Sequence, residues 1–118
     1  AIAEKVSFEK GTSILKEGEP ADYFFILIEG QVDLLLGDTG KMVYQISGLG
    51  EIFGCSSLMG RDTYFLTARC DEPSVVLKID RSKMEKILTA DADNERLFFK
   101  QLSRAIGDRM MTLYARLP

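Results

Sequence analysis

The chain has 118 residues, 46% of them hydrophobic and 28% charged, a formal net charge of −3, two cysteines and no histidine. That composition fits one soluble globular domain, while the missing imidazole excludes histidine-based hydrolase triads and histidine-bearing metal or haem sites. No apolar run reaches the roughly 20 residues needed to span a bilayer, and without a run of Lys or Arg there is little electrostatic footprint for nucleic acid, so neither membrane nor DNA is expected as a direct partner.

The N-terminal stretch Ala1-Ile2-Ala3-Glu4-Lys5 lacks the basic and apolar regions of a signal peptide, which points to the cytoplasm. From there short β-type runs recur between turn residues: Val6 to Phe8, Ser13 to Leu15, Tyr23 to Ile28, Gln31 to Leu36, Met42 to Ile46, Tyr64 to Arg69 and Ser74 to Ile79. Many short strands predict a mainly β roll, a double-stranded β-helix of jelly-roll type. Gly11, Gly18, Gly30 and Gly48 are expected at positive φ, and Gly37-Asp38-Thr39-Gly40 reads as a hairpin turn. Two phosphate motifs fail on spacing. Gly40-Lys41 is followed by Met42 and preceded at position 35 by Leu, so it is no P-loop, and Gly48-x-Gly50 places Phe53 where the dinucleotide fingerprint needs glycine.

After Ile79 the periodicity becomes helical. Asp80 is placed to cap a short helix through Leu88, and Asp91 or Asp93 a second one running to about Leu117. Phe98, Leu102, Ile106, Met110, Leu113 and Leu117 recur at three- and four-residue steps, with Phe99 and Tyr114 widening the stripe. A helix from Asn94 to Leu117 would extend about 36 Å at 1.5 Å per residue, longer than the open end of a small roll requires. The excess predicts a homodimer through this helix, and Gly107 inside it is explained if a second backbone approaches closely. The chain is thus divided into a roll with its short helix, residues 1–93, and a lid or dimerisation helix, residues 94–118.

The phrase Lys10-Gly11-Thr12 through Gly18-Glu19-Pro20-Ala21-Asp22 to Phe25-Ile26-Leu27-Ile28-Glu29-Gly30-Gln31-Val32, with Phe53-Gly54 beyond it, resembles the cyclic nucleotide-binding domain family, in particular the sensor domains of catabolite-activator type. The resemblance implies an eight-stranded roll flanked by helices, with a long C-terminal helix that pairs subunits or closes over the site. It also implies a phosphate-binding cassette, a Phe-Gly-Glu-x-Ala-Leu segment whose amides and Glu meet the ligand, followed by an Arg that binds the phosphate.

Here Phe53, Gly54 and Leu58 match that cassette, but Cys55 stands at the Glu, Ser57 at the Ala, Tyr64 at the Arg and Phe65 at the small residue after it. A hydrogen bond to a charged group contributes about 1.5 to 3 kcal/mol, so losing both charged groups counts against cAMP or cGMP as ligand. Tyr64 and Phe65 would both bring bulk to the pocket, which then suits an apolar or flat aromatic molecule. Two features favour an anion instead: the amides at the start of the Cys55-Ser56-Ser57-Leu58 turn, and Arg61. Arg61 otherwise reads as a solvated loop residue. Arg109 stands where related domains direct an arginine at the pocket, or serves an ion pair. Cys55 is either a reactive thiol at a helix start or a small filler in the space of the lost Glu, and Cys70 is core.

These readings converge on a non-enzymatic sensor module that binds a small effector in the roll and couples it to the C-terminal helix. It is expected to be either a stand-alone domain or the sensor half of a longer regulator. Retained cyclic nucleotide binding and a ligand-free dimerisation platform are the alternatives, and no cofactor is assigned.

Overall fold

The computed structural model describes residues 2–118 and divides into two compact units, the first ending at Arg81 and the second running Ser82–Pro118. The first is the expected roll. Its strands are β1 (Ala3–Phe8), β2 (Ser13–Leu15), β3 (Tyr23–Glu29), β4 (Val32–Leu36), β5 (Lys41–Ile46), β6 (Ile52–Phe53), β7 (Thr67–Cys70) and β8 (Ser74–Asp80). They form two four-stranded sheets, in the orders β1-β8-β3-β6 and β2-β7-β4-β5, and every pairing is antiparallel.

Alternation along the strands builds the core. Phe25 and Leu27 of β3, Val32 and Leu34 of β4, Ala68 and Cys70 of β7 and Val76 of β8 enter one buried cluster with Ile46, Phe53 and Leu15. Phe25 and Phe53 stack with ring centroids 5.4 Å apart, holding the two-residue strand β6 to β3, where Phe25 faces Phe53 and Ile26 faces Ile52. A strand of two residues has no room to show alternation, which is why the sequence did not signal β6. The 37–40 turn connects β4 to β5 as expected, with Gly37 and Gly40 at φ +78° and +64°.

Two expectations are corrected. Gly48 is not at positive φ; Gly50, two residues on, takes that conformation at +86°. The reason lies in Glu51, whose carboxylate accepts from the amides of Ser47 (3.0 Å) and Gly48 (2.8 Å) and fixes the preceding turn. The run expected as a strand from Tyr64 becomes one only at Thr67. Tyr64 pairs instead with the β2–β3 loop: its amide donates to the Glu19 carbonyl (3.0 Å) and its carbonyl accepts from the Gly18 amide (2.9 Å), while the Ala21 amide donates to the Asp62 carbonyl (2.8 Å). Asp80 ends β8, opposite Tyr23 of β3, and α1 (Arg81–Thr89) begins at the next residue.

The second unit's long helix, α2, spans Ala92–Ala115, and Asp91 rather than Asp93 caps it. Asp91 is extended, and its Oδ1 accepts from the amides of Asp93 (3.0 Å) and Asn94 (3.2 Å). Leu117 therefore lies two residues beyond the helix. Among the described residues no helix is long and apolar enough to cross a membrane.

Two glycines give opposite expectations. Gly30, at φ +104°, has no room for a side chain, since a Cβ would stand 2.6 Å from the Pro73 carbonyl oxygen and overlap Ser74. Gly30→Ala should cost at least about 2 kcal/mol from backbone strain and overpacking, read as a lower midpoint in chemical denaturation. A Cβ at Gly107 meets nothing within 4 Å. Gly107→Ala should therefore raise the stability of a monomer by up to about 1 kcal/mol, whereas a fall with rising protein concentration would reveal a second backbone at that position.

Candidate functional site

The cassette is built on the β6 end. Phe53 is fully buried, and Gly54 turns the chain at φ +70° where a Cβ would stand 2.7 Å from Leu15 Cδ2 and 3.1 Å from Phe25 Cδ1. Only glycine allows the turn to press this closely on β2 and β3. Cys55 then leads into a single 3₁₀ turn, Ser56–Met59, which Gly60 closes in a left-handed conformation with its amide donating to Ser57 O (3.2 Å). Phe53, Gly54, Cys55, Ser56, Ser57 and Leu58 are thus brought together as the sequence indicated.

Within this turn the polar groups divide into engaged and unengaged ones. Ser56 Oγ accepts from the Phe65 amide at 3.3 Å. Ser57 Oγ is buried with no hydrogen-bond partner among the described residues, an arrangement that ordinarily marks a site for water or a ligand atom. Cys55 lies at the position before the turn, and its side chain makes no capping bond. Cys55 and Cys70 are both buried and not disulfide-bonded, and burial raises the Cys70 thiol above its ordinary pKa, partly offset by a hydrogen bond with Ser74.

Tyr64 and Phe65 part company. Tyr64 turns into the roll and is only 7% exposed, while Phe65, in the bend that precedes β7, turns out and is 55% exposed. The expectation that both would crowd the pocket is corrected to Tyr64 alone. The Tyr64 hydroxyl donates to the Tyr23 carbonyl at 2.7 Å and accepts from the Tyr23 amide at 3.4 Å, fastening the segment after the cassette to β3. Outside the roll the Arg61 guanidinium lies over the Phe65 ring, 5.3 Å from its centroid. Nothing in the sequence pairs Tyr64 with Tyr23, because the two are 41 residues apart and the contact exists only once the roll closes.

The helix residues form a separate set in the second unit. Along α2 Leu102 is buried, Phe98, Ile106, Arg109 and Leu113 are half-buried, and Met110 and Tyr114 are exposed, as is Leu117 beyond the helix. Phe98 and Phe99 meet edge to face with centroids 5.3 Å apart. The apolar stripe therefore exists as expected, and it is least covered towards its C-terminal end.

The sequence profile of the cyclic nucleotide-binding domain matches residues 5–91, the roll with its cassette and α1. The chain belongs to the cyclic nucleotide-binding domain family. An uncharacterized protein of Mycobacterium tuberculosis is 31% identical over 88 residues, covering 75% of this chain and 17% of that protein. The cAMP-dependent protein kinase regulatory subunit of Eremothecium gossypii is 29% identical over 106 residues, 90% of this chain and 22% of that one. The chain thus spans about a fifth of the length of these relatives. A crystal structure of a Geobacter metallireducens protein of the cyclic nucleotide-binding class superimposes with a TM-score of 0.81 at 28% identity, over 92% of this chain and 80% of that one.

Tyr64 gives this family member a distinctive alkaline limb. Burial raises its pKa above the ordinary 10.0, the Tyr23 hydrogen bond opposes the shift, and the charges of Asp22 and Glu19 add to it. The folded state thus holds the proton more tightly than the unfolded chain. Its contribution to stability is complete below the unfolded pKa near 10.0 and is lost as pH rises through the folded value. Tyr64→Phe should lower stability at pH 7 by about 1 kcal/mol and flatten the decline above pH 10, both measurable by urea titration across pH.

Proposed function

We propose that this chain is a non-enzymatic sensor module whose roll binds a small effector other than cAMP or cGMP and passes its occupancy to α2. One observation carries the reading. The side chain standing where the family directs an arginine at the phosphate is a buried tyrosine whose hydroxyl is committed to the β3 backbone. The amide of Phe65 is likewise engaged, by Ser56 Oγ. Arg61, the basic residue nearest in sequence, rests on the outward-facing ring of Phe65, which supports a surface role.

A ligand that binds only the folded state raises its melting temperature with saturation. Neither cAMP nor cGMP should shift the melting temperature of this chain at millimolar concentration, and a shift from either would overturn the reading. The triple substitution Cys55→Glu, Tyr64→Arg and Phe65→Ala replaces the departing residues with the family's own and should create a cAMP-dependent shift, provided the variant still unfolds cooperatively.

The partner we propose is a second copy. Exposure of Met110, Met111 and Tyr114 on the last turns of α2, and of Leu117 just beyond, leaves an apolar edge of the kind that pairs helices. Sedimentation should show a dimer, and Met110→Glu should weaken it at least about tenfold by placing a charge in an apolar contact, without lowering the unfolding midpoint of the roll. A strict monomer at all concentrations would remove the dimer from this proposal.

A further inference from the structure

A concavity lies in the roll. It is a groove of about 260 Å³ beside the β2–β3 loop, and none of Gly54, Cys55, Ser56, Ser57 or Leu58 lines it. Its floor is apolar, made by Leu15 of β2 and Phe25 of β3, both buried. The Tyr64 side chain that replaces the family's arginine forms part of its wall.

The polar groups of the groove break the pattern of the strands that carry them. Along β8 Val76 faces the core, and Lys78, two residues on and opposite Phe25 in register, lies on the same face of the strand. An inward lysine at that register is out of keeping with a β-roll interior, and such departures from binary pattern concentrate at functional sites. Its ammonium lies 4.1 Å from the centroid of the Tyr23 ring, a cation–π contact that uses the charge and leaves its N–H donors directed at no carboxylate among the described residues. Glu19 and Asp22 line the same groove, and both act electrostatically on the Tyr64 hydroxyl. The groove therefore brings together one ammonium and two carboxylates with the apolar Leu15 and Phe25.

From this juxtaposition we infer that the groove binds a small zwitterion, an α-amino acid with an apolar or aromatic side chain. The ligand's carboxylate meets Lys78, its ammonium meets Glu19 and Asp22, and its side chain covers Leu15 and Phe25. A simple anion would meet two like charges, and a simple cation would leave Lys78 unanswered. The inference does not depend on what the cassette binds.

The test is a titration of the whole chain with phenylalanine and with leucine, followed by amide chemical shifts. Saturable shifts at Tyr23, Tyr64 and Lys78 are expected at millimolar ligand. Phenylalanine amide, which lacks the carboxylate, and N-acetylphenylalanine, which lacks the ammonium, should each bind at least about tenfold more weakly. Lys78→Met keeps the aliphatic stem and should produce the same loss for phenylalanine, as should Glu19→Gln with Asp22→Asn; unchanged melting temperatures show that each variant is folded. The inference is overturned if neither amino acid shifts these amides, if the blocked derivatives bind as well as the parent, or if the shifts fall on Ser56–Met59 instead.

Discussion

Everything distinctive about this roll follows from where the Tyr64 hydroxyl goes. An arginine at this position would be a permanent charge inside a small domain, and burying it without a counter-ion costs several kcal/mol. It would therefore depend on an anion. A tyrosine is neutral below its raised pKa and needs one acceptor, which the Tyr23 carbonyl supplies at 2.7 Å. The Tyr64 hydroxyl is thus satisfied within the roll itself. The fold has been kept while the charge that made it depend on phosphate has been replaced by a bond between a loop and a strand.

That bond acts alongside the backbone pairing of the same segment. Gly18 and Glu19 pair with Tyr64, and Ala21 pairs with Asp62, so the β2–β3 loop and the chain leaving the cassette form one hydrogen-bonded strip. Gly54 presses against Leu15 and Phe25 at the other end of the cassette, within van der Waals limits that exclude any Cβ. Between these two anchors the 3₁₀ turn has little freedom. Its outline persists because packing holds it, which explains how Phe53, Gly54 and Leu58 keep the family's pattern after the charged residues have gone.

The roll was legible in the sequence because short β-type runs alternate with turn residues, and the long helix because its apolar residues from Phe98 to Leu113 repeat over about four turns. Asp91 as cap was one of two candidates that periodicity could not separate; extended backbone geometry selected it. β6 was silent, being two residues held by a ring stack and not by a pattern of its own. The reading of Phe65 failed for a simpler reason. Phe65 lies in a bend before β7, which sends Tyr64 in and Phe65 out, and no sequence pattern marks that bend. The Tyr64–Tyr23 bond lay outside sequence reach, since no local pattern reports a contact between residues brought together by two sheets.

Tyr64 borders the groove and is continuous with the segment that leaves the cassette. Its ring lines the groove beside Glu19 and Asp22, while its backbone leads directly to Phe65, whose amide is held by Ser56 of the cassette turn. A ligand seated against Tyr64 would meet the same strip that anchors the cassette, because Gly18, Glu19 and Ala21 are hydrogen-bonded to Asp62 and Tyr64.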